Sequence, residues 1–132
     1  MGTVGYLLDT CAFLWSIQKD VKLGSKANDI VKNCETPLYL SAISAYEIAY
    51  KHRIGKLPEY GEISNNYFNF IQKLNVMELP INTHHTYFAG KLEWSHRDPF
   101  DRLLAAQASI ENLVLITNDS AFDTLPWVKT LW

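Results

Sequence analysis

The chain has 132 residues, the length of one ordinary domain, so a single domain over residues 1–132 is expected. With 48% hydrophobic and 20% charged residues it has the balance of a folded globular protein rather than a disordered one. Lys plus Arg number 12 and Asp plus Glu 14, a formal net charge of −2, which excludes nucleic-acid binding by bulk positive charge and leaves any polyanionic ligand to a local patch or to bound cations.

Short apolar runs alternate with helical patterns, as in βαβ units built around a mainly parallel sheet. The first strand is predicted over 4–8 and stops at Asp9. No basic flank precedes it, and Asp9 cuts the apolar run, so this start reads as neither a signal peptide nor a membrane anchor. Two cysteines, Cys11 and Cys34, are too few for a disulfide framework, and a cytoplasmic location is expected. A helix follows from about Thr10 through Ile17. Ser25 is placed to cap a second helix carrying Ala27, Ile30 and Val31, which ends before Thr36-Pro37.

The second strand is predicted over 38–40, and Ser41 or Ser44 then opens a helix to His52 that stops near Gly55. After a connection from Leu57-Pro58, the pattern predicts one longer amphipathic helix over about 61–74, with Ile63, Tyr67, Phe70, Ile71 and Leu74 on one face. A third strand over 76–79 and a helix over 83–92, capped by Asn82 or Thr83, come next. Asp98-Pro99 suits the cap and first turn of a helix running to Asn112. A fourth strand over 113–117, a short helical turn over 120–123 and an edge strand over 128–131 complete the chain. The fold class is therefore α/β, a three-layer α/β/α domain, and ligands of such sheets bind beyond the carboxyl ends of the strands where the chain order reverses.

That rule gives meaning to where the acids fall. Asp9 ends the first strand and Asp119 follows the fourth; Glu47 lies in the early turns of the helix after the second strand; Asp98 and Asp101 open the helix before the fourth. All but Asp98 sit among apolar or small residues, where carboxylates are costly unless compensated. A cluster of them repels itself unless a divalent cation neutralises it, and oxygen donors without His or Cys suit Mg²⁺ or Mn²⁺ rather than zinc. Each acid also has a plainer use: Asp9 and Asp98 as helix caps, Ser44-x-x-Glu47 as a capping box, Asp119 as the start of the 120–123 turn.

Four blocks, in order, match a known family. Tyr6-Leu7-Leu8-Asp9-Thr10-Cys11-Ala12-Phe13-Leu14-Trp15 resembles the opening of PIN-domain ribonucleases of the VapC-like toxin type. Leu40-Ser41-Ala42-Ile43-Ser44-Ala45-Tyr46-Glu47-Ile48-Ala49 with Lys51 and Arg53-Ile54-Gly55-Lys56-Leu57 resembles the second block. His96-Arg97-Asp98-Pro99-Phe100-Asp101-Arg102-Leu103-Leu104 resembles the third and most specific, and Leu115-Ile116-Thr117-Asn118-Asp119 the fourth. The resemblance implies a PIN-like α/β/α fold and metal-dependent hydrolysis of RNA phosphodiester bonds to 5′-phosphate and 3′-hydroxyl ends. Asp9, Glu47, Asp101 and Asp119 are then the metal-binding and catalytic acids, with Mg²⁺ or Mn²⁺ as cofactor.

Asp98 belongs to the motif as a lesser ligand candidate, and Thr10, Ser41, Thr117 and Asn118 are candidates to orient ligands and water. The implied partners are an RNA substrate, a small cognate antitoxin and a second copy of the chain, with no membrane. Cys11 stands where relatives commonly carry His, and Tyr46 where Trp is frequent.

Arg53, Lys56, Arg97 and Arg102 are candidate phosphate contacts, whereas Lys51 and His52 read more simply as helix-end charges. The 17 aromatics are generous for this length; many belong in the core, and a surplus at the surface would suit protein partners. Two other readings stand beside the nuclease: a PIN-like module that binds RNA or protein without cutting, and a phosphatase using Asp9 as nucleophile. The second ranks lower because such schemes want another acid two residues on, where Cys11 stands.

Overall fold

Successive residues of a strand face opposite sides of the sheet, so the full burial of both Leu7 and Leu8 means that β1 (Tyr6–Leu8) is covered on its two faces. Leu115 and Ile116 of β4 (Val114–Ile116) repeat the pattern. This continuous apolar run is what a parallel sheet with helices on both sides requires.

On one face Leu8 and Ile116 pack with Phe13 of α1 (Thr10–Gln18), Ala27 of α2 (Ser25–Lys32), Leu40 of β2 (Leu38–Ser41), Ile48 of α3 (Ala42–Arg53) and Ile63 of α4 (Pro58–Asn65). Residues of α5 (Tyr67–Leu74) close that layer. On the other face Leu7 and Leu115 meet Leu104, Ala105 and Ala108 of α7 (Pro99–Ile110), together with Leu79 of β3 (Met77–Leu79) and Phe122. α6 (Thr83–Lys91) packs beside α7. The computed structural model describes residues 4–56 and 58–132; residues 1–3 of the expected chain start and Leu57, at the head of the predicted connection, lie outside the described residues.

The five strands lie in the order β3-β2-β1-β4-β5, with β5 at Thr130–Leu131, and every neighbouring pair is parallel. The sheet expected to be mainly parallel is wholly so among the described strands. From β1 the chain winds outward through β2 and β3, then crosses back through α7 to pair β4 on the other side of β1. That reversal opens a crevice at the carboxyl ends of β1 and β4.

Two predicted elements differ. The single helix over 61–74 is broken into α4 and α5 at Asn66, whose side-chain amide donates to the Glu62 carbonyl (3.0 Å), a local bond that competes with helix continuation. At the start of α2 the cap position is Gly24, not Ser25, and no side chain caps the helix. A Cβ at Gly24 would lie 2.5 Å from the Trp132 carbonyl carbon, so the close approach of Trp132 dictates glycine there. α6 is capped by Asn82 through a reciprocal pair with His85, each side chain accepting the other's backbone N–H at 3.1 Å.

Candidate active site

Asp9 leaves β1 with its N–H bonded to the Ile116 carbonyl of β4 (3.1 Å), which fixes it at the crevice. Its Oδ1 accepts the Ala12 N–H at 2.7 Å and caps α1. Capping and membership of a site are therefore compatible in this residue, because capping engages only one carboxylate oxygen.

α3 is capped by Ser41, whose hydroxyl accepts the Ile43 N–H (3.1 Å). This leaves Ser44 and Glu47 inside the helix, so the Ser44-x-x-Glu47 capping box does not form. Both turn instead to Thr10. The Thr10 hydroxyl donates to Glu47 Oε1 at 2.6 Å, and with its only proton so placed it accepts from the buried Ser44 hydroxyl at 3.0 Å. Lys51, one turn on, donates to Glu47 Oε2 at 2.6 Å.

Asp98 caps α7 by accepting the Phe100 N–H (2.8 Å), and Asp101 pairs through Oδ2 with His96 Nε2 at 2.7 Å. After β4, Thr117 accepts the Asp119 N–H at 3.1 Å, and Asp119 Oδ1 accepts the Ala121 N–H at 2.9 Å, opening the 3-10 turn Ser120–Thr124.

One cavity of about 340 Å³ receives all of these acids: Asp9, Glu47, Asp98, Asp101 and Asp119 line it with Thr10, Cys11, Trp15, Lys51, Leu104 and Asn118. Five carboxylates thus face a single cation among the described lining. The electrostatic consequence is largest at Asp9, pushed up to about 6 chiefly by burial and further by Asp101 and Glu47, against the pull of the Thr117 hydroxyl and the Ala12 N–H. Asp101 is also raised, by burial first and by Asp98 and Asp119, against the His96 hydrogen bond.

Burial works against the Lys51 charge, but Glu47 outweighs it and holds the ammonium above its usual range. Cys11 has exposed surface, yet its thiol is crowded enough by protein, Asp9 and Glu47 to be pushed up to about 11. Without a metal beside it, it stays a thiol at neutral pH.

The predicted acids are brought together, Asp98 included. Among the supporting residues, Thr10 orients Glu47, Thr117 fixes the Asp119 backbone and Asn118 lines the cavity, whereas Ser41 acts as a helix cap outside the lining. Arg102 is not a phosphate contact: its guanidinium donates to the carbonyls of Ala89 (3.1 Å), Trp94 (3.0 Å), His96 (2.9 Å) and Leu92, tying α7 to the segment that precedes it. Arg53, Lys56 and Arg97 are exposed and lie outside the cavity lining, Arg53 resting 5.4 Å over the Tyr50 ring.

Sequence reasoning takes Ser44 as a helix cap, and Lys51 and His96 as positive charge near the motifs, without placing Lys51 on Glu47 or His96 on Asp101. Lys51 was readable as an i,i+4 partner of Glu47. His96 brings a ring nitrogen against one of the acids, at 2.7 Å from Asp101 Oδ2.

The carboxylate oxygens nevertheless fit a hard divalent cation. A family model described as PIN domain matches residues 6–128. A chain in the crystal structure of DNA-bound VapBC from Salmonella typhimurium is similar over 98% of each chain at 20% identity, TM-score 0.71. One in VapBC2 from Rickettsia felis bound to a promoter DNA fragment is similar over 96% of each chain at 20% identity, TM-score 0.69. One in FitAcB from Neisseria gonorrhoeae is similar over 96% of each chain at 17% identity, TM-score 0.69. At these identities the likeness is one of fold. No curated protein matches the sequence.

Proposed function

The chain belongs to the PIN domain family, and from that premise we propose that it is a metal-dependent ribonuclease, the toxin of a toxin–antitoxin pair, cutting RNA to 5′-phosphate and 3′-hydroxyl ends. The observation that carries this reading is the convergence of carboxylates from four separate segments on one cavity at the sheet's switch point, with Lys51 as their only cationic neighbour in the described lining. Such an array is built to receive positive charge. Its intact acid set weighs against a module that merely binds.

Asp9, Glu47, Asp101 and Asp119 would hold Mg²⁺ or Mn²⁺, with Asp98 as a lesser contributor. A bound divalent cation supplies charge that shields the phosphodiester from these carboxylates and acidifies water for attack. The chain's own groups do the rest. Thr10, itself held by Ser44, fixes Glu47. Asp119, whose Oδ1 is used for capping, keeps its second oxygen to take the proton of the attacking water. Lys51 offers the incoming phosphate a positive charge, and Arg53, Lys56 and Arg97 are proposed to track the RNA backbone outside the cavity.

The antitoxin reading extends to this chain the VapB–VapC pairing that names its structural neighbours. It is supported by aromatic surface near the cavity. Tyr46 and Phe100, each one residue before a pocket acid, pair at 6.0 Å. Next to Tyr46 in sequence, an apolar cavity of about 220 Å³ lies between α3 and the α4–α5 pair, bordered by Ala45, Ile48, Ala49, Ser64, Tyr67 and the exposed Phe68. A short antitoxin segment is proposed to lie there. A homodimer in the cytoplasm completes the proposal; no helix among the described residues is long and apolar enough to cross a membrane.

The test of function is cleavage of single-stranded RNA by the purified chain, free of antitoxin, in Mg²⁺ or Mn²⁺ and in EDTA. Activity that survives EDTA contradicts the proposal. Loss of toxicity on co-expression with an adjacent small reading frame tests the partner.

A further inference from the structure

We propose that His96, Asp98 and Asp101 form a mixed nitrogen–oxygen cation position at the edge of the acidic cavity, selective for Mn²⁺ or Zn²⁺ over Mg²⁺. This rests on the metal-binding reading above and adds what the pocket selects and which side chain does the selecting.

The three side chains each offer one ligand atom, and those atoms lie within 4.8 Å of one another. That is somewhat more than twice a metal–ligand bond of about 2.1 Å, so the side chains must rotate inward to bring all three onto one ion. His96 and Asp101 are already at 2.7 Å, with 31% and 20% of their side chains exposed, and Asp98 is exposed. An ion can reach them from solvent and keep waters of its own. Asp98 uses Oδ1 to cap α7, leaving its other oxygen for a ligand.

The imidazole is held by more than Asp101. The Trp94 ring lies against it with centroids 4.8 Å apart, and Arg102 binds the carbonyls of both Trp94 and His96. The segment that carries His96 is thereby fastened to the same helix that carries Asp98 and Asp101. A ligand held in place before the ion arrives loses little freedom on binding.

Imidazole suits zinc, and Mn²⁺, though at home among carboxylates, accepts a nitrogen ligand more readily than Mg²⁺, which strongly prefers oxygen and water. Asp9 and Glu47 offer only carboxylate oxygens, so the two ends of the cavity differ in what they attract. Capture of an ion at the His96 end replaces the His96–Asp101 hydrogen bond with one bond from Nε2 and one from Asp101 to the same cation, the ring proton being carried on Nδ1 instead.

The experiment uses Mn²⁺ as probe on the full chain stripped of metal. Pulsed electron paramagnetic resonance of bound Mn²⁺ reads directly bound ¹⁴N, and calorimetry gives Mn²⁺ and Mg²⁺ affinities. We expect ¹⁴N modulation in the unaltered chain and its loss in His96→Gln. That variant should bind Mn²⁺ about 10-fold or more weakly and bind Mg²⁺ as before.

Bound Mn²⁺ without ¹⁴N modulation in the unaltered chain overturns the proposal. So does modulation that persists in His96→Gln, or an equal loss of both ions, which is the mark of a histidine that only orients Asp101. If Mg²⁺-dependent RNA cleavage persists while the ¹⁴N signal is absent, only this inference falls; if neither ion binds, the metal-dependent function falls with it.

Discussion

Thr10 donates its hydroxyl proton to Glu47 Oε1 across 2.6 Å, joining the first residue of α1 to a carboxylate on α3. The Thr10 hydroxyl oxygen in turn accepts from Ser44, so one hydroxyl locks two helices and aims one acid at the cavity. Thr10→Val keeps the shape and removes both hydrogen bonds. It is expected to cost about 1–3 kcal/mol in urea unfolding, because Ser44 is left without its buried partner. Under the proposed function kcat/KM on RNA should fall about 10-fold or more, while Thr10→Ser restores most of it. A Thr10→Val variant with unaltered turnover would show that Glu47 needs no such support.

The raised Asp9 makes stability depend on pH in an unusual direction. Its carboxyl goes from 3.8 to about 6 on folding, so between those values the native state binds the proton that the unfolded chain has released. This group's contribution is fully present below about pH 4 and is lost as pH rises through 6, a span on the order of 3 kcal/mol. In EDTA the difference in stability between the unaltered chain and Asp9→Asn should therefore be larger at pH 7.5 than at pH 4.5, with the variant the more stable at the higher pH. Divalent cation should close that gap at pH 7.5. Thermal unfolding of the two proteins at both pH values is the measurement, and a pH-independent difference would remove the burial argument.

Arg102 is a structural residue of the α6–α7 connection. Removing it in Arg102→Ala strands carbonyls of Ala89, Leu92, Trp94 and His96 that it now satisfies. A loss of about 2–4 kcal/mol is expected in chemical denaturation. Arg102→Lys should recover only part of it, since an ammonium cannot match the planar fork.

Arg53, Lys56 and Arg97 lie exposed outside the cavity and should leave stability within about 0.5 kcal/mol when changed to Ala. If they follow the RNA backbone, each substitution lowers the salt-dependence slope of single-stranded RNA binding by about 0.7. An unchanged slope in all three would take them off the RNA surface. Catalytically dead protein, such as Asp9→Asn, keeps the RNA intact during the titration.

Much of the site was legible because strand ends mark it. Leu7-Leu8-Asp9 announces a strand buried on both faces that ends in a charge, and Ile116-Thr117-Asn118-Asp119 does the same for its neighbour. Asp98-Pro99 announces a helix start that then carries Asp101 three residues inside it. Less legible was whatever depends on a distant segment. Gly24 is fixed by Trp132, more than a hundred residues away, and no local pattern encodes that approach.

Arg102 had the sequence position of a phosphate contact, but its donors are claimed by carbonyls whose arrangement exists only in the folded connection. Lys51 had the position of a helix-end charge, yet it enters the cavity because Glu47 one turn earlier draws it there. The break at Asn66 falls within an unbroken amphipathic pattern, where side-chain competition for the backbone outweighs the period.

The small negative net charge is consistent with this arrangement, since much of the acid is gathered in one cavity suited to cations. The most direct measurement is cleavage of end-labelled single-stranded RNA by the purified chain in Mg²⁺, repeated with EDTA and with Asp101→Asn. The expected result is cleavage leaving 5′-phosphate ends, lost in EDTA and reduced about 100-fold or more in the folded variant. Cleavage undiminished in EDTA, or by folded Asp101→Asn, would contradict the account.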